Sequence, residues 1–255
     1  QFTHPVPVEA EIGRYYETPD YISHSDTHKG LMNRVYHWVR RVMLARKARL
    51  VKHNSRLSQG SLLDIGTGTG YFPHFMQERG WHVSAIEKSP QARQFAKEHF
   101  ELDVAAPEAL NEFADKSFDV ITLWHVMEHL EHLNETWETL KRILKDQGIL
   151  IIAVPNPTSF DAEKYKEMWG AHDVPRHLWH FSPSVMQQFG AKHDFILCER
   201  HPMPFDAFYV SMLTERYKGS RLSFLKGMWT GLLAWFSSLA KKERSSSMIY
   251  VFRKK

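Results

Sequence analysis

Residues 61–70 read Ser61-Leu62-Leu63-Asp64-Ile65-Gly66-Thr67-Gly68-Thr69-Gly70, a short apolar run closed by three glycines at alternate positions. Glycine lets the backbone turn tightly and lets a ligand approach it closely. Tyr71 to Arg79 follows with helical spacing and stops at Gly80, so the stretch reads strand, glycine turn, helix. The start of such a helix offers free N–H groups and the positive end of a dipole. A phosphate-binding loop would need Gly-Lys-Ser or Gly-Lys-Thr at the end of the turn, and a dinucleotide fingerprint would need its third glycine where Tyr71 stands. Neither pattern is met, which disfavours a nicotinamide oxidoreductase.

The same alternation extends outward. Trp81 to Ile86 is a β-rich run ending at Glu87, and Pro90 to His99 reads as a helix. Phe100 to Leu102 is a weak strand ended by Asp103 and Val104, and Phe118 to Trp124 is a continuous apolar strand. Leu133 to Leu144 is helical, Ile149 to Val154 is a strand closed by Pro155, and another helix begins near Pro183. Strands alternating with helices of about ten residues imply βαβ units and a parallel sheet, because parallel neighbours need crossover connections. There is no internal repeat and no low-complexity segment.

The net charge of +4 conceals an uneven distribution. Thr27 to Leu63 holds nine basic residues and no acidic one, and Arg216 to Lys255 holds ten basic residues against the single acid Glu243. The remainder is acidic. The single cysteine, Cys198, excludes an internal disulfide and a zinc ribbon, so a reducing, cytoplasmic setting is expected. Gln1 to Pro5 shows no basic region followed by an apolar run, so no secretory signal is expected there.

Two acids extend the reading of the glycine turn. Asp64 precedes it, where a carboxylate suits a ligand bearing an ammonium group, and Glu87 ends the next strand, where an acid commonly holds a ribose diol. A cationic nucleoside is the ligand that this pair implies. Leu63 to Gly70, Glu87, Phe118-Asp119-Val120 and Glu128-His129-Leu130 together resemble the class I S-adenosylmethionine-dependent methyltransferases, especially the small-molecule branch that includes the ubiquinone O-methyltransferases. The resemblance runs from about Gly60 to Phe181. It implies an α/β, Rossmann-like, seven-stranded and mostly parallel sheet with helices on both faces. The last strand would be antiparallel and inserted between strands five and six, and Met248 to Arg253 is the late β-rich run that can supply it. The expected organisation is an N-terminal helical extension or lid over 1–57, a cofactor-binding core over 58–201, a helical cap insertion over 202–247 and the last strand over 248–255.

By the same resemblance, Gly66, Thr67, Gly68, Gly70 and Phe72 would pack around S-adenosyl-L-methionine with Asp64 near its amino group. Glu87 would accept the ribose hydroxyls, Lys88 would flank the adenine, Asp103 and Val104 would meet the adenine amino group, and Trp124 and His125 would face the transferred methyl. On the acceptor side the segment His172-Asp173-Val174-Pro175-Arg176-His177-Leu178-Trp179-His180 concentrates histidines beyond the carboxyl end of a strand, where open α/β sheets bind ligands. His177 is the first candidate base or acceptor-orienting group and His125 a second catalytic candidate, with Tyr21, Trp169, His172, Arg176, His177 and His180 as substrate contacts. The alternative is that Asp173 and Arg176 tie the loop down while the histidines cap helices. His125, Glu128, His129 and His132 also have helical spacing for a metal, but His125 stands where the branch carries an acid, so no metal ligands are assigned.

The flanks suit a cover over the acceptor. Leu31 to Val51 reads as a helix with Leu31, Val35, Trp38, Val39, Val42 and Leu50 on an apolar side and Arg34, Arg41, Arg46 and Arg49 exposed. The segment 219–245 is strongly apolar with basic borders, which suits either a cap packed on the core or peripheral contact with an anionic membrane, and it is too broken to span one. The acceptor expected is therefore a small or lipid-linked molecule, methylated at oxygen. Nucleic acid is disfavoured because Trp124-His125-Val126-Met127 replaces the Asn-Pro-Pro-Tyr type of motif after strand four. RNA methylation and a catalytically silent cofactor-binding or membrane-docking module are the alternatives.

Overall fold

The computed structural model describes residues 1–5, 15 and 31–255, with side chains of the first helix described from His37 onward. Helix α1 (Leu31–Ser55) leads into β1 (Ser61–Ile65), α2 (Tyr71–Gln77), β2 (His82–Ile86), α3 (Pro90–Phe100), β3 (Val104–Ala105), β4 (Phe118–Trp124), α4 (Leu133–Ile143) and β5 (Leu144–Pro155). These are followed by α5 (Phe160–Tyr165), α6 (Pro183–Lys192), β6 (Phe195–Pro202), α7 (Asp206–Tyr217), α8 (Ser223–Ala240) and β7 (Ser247–Lys254). The strands form one seven-stranded sheet in the order β3-β2-β1-β4-β5-β7-β6. β1 pairs in parallel with β2 and β4, β2 pairs in parallel with β3, and β7 runs antiparallel to β6. The Rossmann-like topology and the late strand inserted between β5 and β6 are thus as expected.

The chain divides into two compact units, one of residues 13–123 and 136–151, the other of residues 1–12, 124–135 and 152–255. In the first, Leu62 and Leu63 of β1 and Val120, Ile121 and Leu123 of β4 are wholly buried, the signature of strands covered on both faces. The weak strand expected over Phe100 to Leu102 is absent. Phe100 is the last residue of α3, and Glu101 turns left-handed at φ 53° to cap it, so the strand begins three residues after the cap, at Val104. Helix α1 also departs from its expected pattern. Trp38 and Val39, placed on the apolar side, are exposed, whereas burial is concentrated in the last turns at Ala48, Val51 and Asn54. Arg40 and Lys47 turn inward instead, lying over the rings of Tyr71 and Phe72 at 3.9 and 5.6 Å.

In the second unit the run Ile152 to Val154 is fully buried, and α7 and α8 form the helical insertion between β6 and β7. Asn156, at the end of β5, donates from Nδ2 to the carbonyls of Glu243 and Ser245 at 2.7 and 3.0 Å, which clasps the end of the insertion to the sheet. The Pro155-Asn156-Pro157 turn is therefore a structural joint.

The three glycines of the first turn all have positive φ, at 69°, 57° and 84° for Gly66, Gly68 and Gly70, yet they do different work. A Cβ on Gly70 would stand 2.9 Å from Ala96 Cβ and 3.1 Å from Leu102 Cδ2, whereas one on Gly68 would meet nothing within 4 Å. Gly70→Ala is expected to destabilise the fold by about 1–3 kcal/mol in chemical denaturation, through overpacking and left-handed strain. Gly68→Ala is expected to lose less stability and to act chiefly on ligand binding.

Candidate active site

The register of β1 against β4 sets Asp64 opposite Thr122, and the Thr122 hydroxyl donates to Asp64 Oδ1 at 2.5 Å. Asp64 is almost wholly buried. Burial pushes its carboxyl up to about 6, against the pull of the Thr122 hydrogen bond and the nearby Lys47 charge. Thr122 and Lys47 escaped the reading of the sequence, since strand register and the docking of α1 are tertiary facts. The turn itself is held by Gly66 and Thr67 N–H, which donate to the Ile86 carbonyl at 2.8 and 3.0 Å. Glu87 is buried at the end of β2, accepting from Gly68 N–H at 2.7 Å on one carboxylate oxygen and from Ser89 N–H at 2.9 Å on the other. Phe72 is buried in α2 and Lys88 is exposed. Asp103 is exposed, with its carboxylate paired to Lys97 of α3, while Val104 pairs with Ala85 in the sheet.

The second unit holds the histidines. Trp124 is buried at the end of β4, and His125 follows at φ 59° with its N–H on the Ala153 carbonyl. The His125 ring is pinned between two acids, Nδ1 lying 3.4 Å from Glu128 Oε1 and Nε2 lying 3.2 Å from Asp206 Oδ2. Burial works against its charge, but the two carboxylates win and raise it to about 10. His125 is therefore held in its charged form, in which it cannot accept a proton. Asp206, the first residue of α7, lies 81 positions away in the chain, beyond any spacing rule.

Residues 176–180 lie over the turn after β4. The Glu128 carbonyl accepts from Leu178 and Trp179 N–H, Trp179 Nε1 donates to the Leu130 carbonyl at 2.7 Å, and His129 Nδ1 donates to the Arg176 carbonyl at 2.9 Å. His177 is buried with Nδ1 at 2.9 Å from the Ala171 carbonyl. A carbonyl only accepts, so Nδ1 carries the proton and Nε2 the lone pair. Burial drives His177 down to about 4 despite Glu128 and Asp173, and the same cause brings His180 to about 4. Arg176 grips Asp173 through Nε and Nη2 at 3.2 and 2.6 Å, which fastens the loop. Trp169 departs from the expected substrate role, since its indole is buried and donates to Asp161 at 2.7 Å. His172 stacks edge-on against Trp169 and His180 at 5.3 Å. Tyr21 lies outside the described residues. Glu128, His129 and His177 each present one ligand atom within 4.8 Å of the others, a donor set of the kind that suits a divalent cation, although no metal ligands were expected.

Residues 35–198 match the family described as "Methyltransferase domain". The chain belongs to this family. A methyltransferase of Staphylococcus carnosus is 33% identical over 112 residues, covering 43% of this chain and 53% of its own. The ubiquinone biosynthesis O-methyltransferase of Pelagibacter ubique is 29% identical over 161 residues, covering 57% and 65%. The chain spans about half the length of the first curated relatives it matches. Among solved structures, geranyl diphosphate C-methyltransferase from Streptomyces coelicolor, in complex with Mg2+, geranyl diphosphate and S-adenosyl-L-homocysteine, superposes with a TM-score of 0.58. It is 13% identical and covers 91% of this chain and 88% of its own. That likeness concerns the fold.

The glycine turn fits S-adenosylmethionine, the cofactor of this methyltransferase class. The open space at Gly68 leaves room beside the backbone, and the Glu87 carboxylate, with one N–H on each oxygen, keeps lone pairs for a ribose diol. Asp64 must be ionised to attract an ammonium group. The affinity for S-adenosylhomocysteine, titrated calorimetrically, is therefore expected to fall as pH drops through about 6, and Asp64→Asn to remove that step. Imidazole NMR titration is expected to find His125 still protonated at pH 8 and His177 still neutral at pH 6.

Proposed function

We propose that this methyltransferase moves the methyl group of S-adenosylmethionine to a hydroxyl oxygen of a small or lipid-linked acceptor, with His177 taking the acceptor's proton. The observation that carries the reading is the buried, neutral His177, whose Nδ1 is fixed on the Ala171 carbonyl and whose Nε2 is left as the basic atom. The bound cofactor supplies an activated methyl on a sulfonium, so the protein's own task is to align the acceptor, exclude water and remove one proton.

A histidine held near 4 is a free base at neutral pH, though a weak one. Weakness is tolerable for this chemistry. An acceptor oxygen would become strongly acidic as it gained the methyl group, so Nε2 of His177 would take its proton late in the transfer. Asp173 Oδ2, 3.6 Å from Nε2, and the buried Glu128 carboxylate then offset the new positive charge. Glu128 is suited to this, for burial would raise its carboxyl but the charged, hydrogen-bonding His125 outweighs burial and holds it below the usual carboxylate range. The relatives named as ubiquinone O-methyltransferases support oxygen as the accepting atom.

Transfer of labelled methyl into extract separated into lipid, small-molecule and RNA pools tests this reading. Label is expected in the lipid or small-molecule pool, and His177→Asn is expected to lower the rate by about 10²–10⁴-fold while leaving S-adenosylhomocysteine affinity unchanged. Label confined to RNA, or full activity in His177→Asn, would overturn it.

A further inference from the structure

Helix α8 is built inside out for a water-facing helix. Its buried positions, Gly227, Thr230, Gly231, Ala234 and Ser238, recur every three to four residues and are all small. The reason is the closeness of α7. A Cβ on Gly227 would lie 2.6 Å from Met212 Cα, and one on Gly231 would lie 2.6 Å from Phe208 Cδ1 and 2.8 Å from Phe208 Cα. Such packing leaves the fully buried positions of this helix without a bulky side chain, and Leu232, Leu233 and Trp235 are half-buried. The other bulky ones are outside: Leu222, Phe224, Leu225, Trp229, Phe236 and Leu239 are each 56–64% exposed. Tyr209 and Tyr217 of α7 are exposed as well. An ordinary amphipathic helix places these classes the other way round, and a contiguous apolar surface of this kind marks a site of contact.

The charges around it select the occupant. Arg216, Lys218, Arg221, Lys226, Lys241 and Lys242 are exposed in and at the ends of the two helices, whereas Glu215 is buried and Glu243 lies 3.9 Å from Arg200. A second copy seated on this face would bring one basic collar against another. An anionic bilayer complements both features, with apolar side chains entering the acyl boundary and the collar meeting the headgroups. No described helix is long and apolar enough to cross a membrane.

We infer that the outer face of α8, flanked by its basic collar, is a docking surface for an anionic lipid bilayer on which the helix lies in the plane. This surface stands independently of the methyl acceptor, because it is read from exposure and charge alone.

Flotation of the full chain with vesicles tests it, using phosphatidylcholine alone and phosphatidylcholine with about one-third phosphatidylglycerol. The protein is expected to float with the anionic vesicles and at least about tenfold less with the neutral ones. Phe224→Ser/Trp229→Ser/Phe236→Ser, at exposed positions, is expected to reduce flotation about tenfold or more with melting temperature unchanged. Lys226→Glu/Lys241→Glu/Lys242→Glu is expected to abolish the preference for anionic vesicles. A wild-type chain that stays at the bottom of the gradient, or a triple serine variant that floats equally well, overturns the inference. So does light scattering that shows a wild-type dimer made monomeric by the serine substitutions, because the face would then belong to a second copy. None of these readouts depends on methyl transfer.

Discussion

Burying a carboxylate costs several kcal/mol unless hydrogen bonds or opposite charges replace the lost water, and among the acids buried in each compact unit of this chain one shows how that cost is met. In the first unit it is Asp64, answered by the Thr122 hydroxyl that strand register sets opposite it. In the second it is Glu128, answered by the His125 imidazolium beside it. The two answers differ in kind. A neutral hydroxyl leaves Asp64 poised to gain or lose a proton near pH 6, whereas a fixed imidazolium keeps Glu128 ionised. One acid is thereby kept responsive and the other kept charged.

Two histidines in the second unit show the same physics with opposite outcomes. His125 is held between carboxylates on both ring nitrogens and stays protonated. His177 donates one nitrogen to a neutral carbonyl, lies deeper, and stays neutral. Residue type alone predicts neither state. What separates them is that both ring nitrogens of His125 face carboxylates, at 3.4 and 3.2 Å, whereas one nitrogen of the buried His177 is spent on a neutral carbonyl.

Local pattern made much of the fold legible. The glycine turn, the continuous apolar run Phe118 to Trp124 and the late β-rich run at Met248 each carry their element in a few consecutive residues, and the structure contains each of them. The acids at Asp64 and Glu87 were legible for the same reason. Illegible features depended on partners far away in the chain. Trp38 reads as core because it is apolar, yet it is exposed, and among the described residues of α1 the buried ones, Ala48, Val51 and Asn54, lie in the last turns. Asp103 has the position of a ligand contact, but Lys97 is within reach on the preceding helix. Trp169 sits in a loop dense with functional residue types, and Asp161, a buried acid eight residues earlier, draws its indole inward. The Asp206 clamp on His125 needs α7 in place before it exists.

The position of β7 has a consequence for how the chain is made. β7 lies between β5 and β6 in the sheet but follows both in the sequence. On a ribosome β5 and β6 emerge first, with two complementary strand edges separated by an empty slot. Unpaired edges of this kind are templates for pairing with the wrong strand. The slot fills only after the helical insertion has been synthesised and has turned the chain back, where the Asn156 clasp on the carbonyls of Glu243 and Ser245 steers it in. The apolar insertion and the open slot are thus exposed together during synthesis, which makes completion of the sheet the step at which a chaperone would have most to offer this protein.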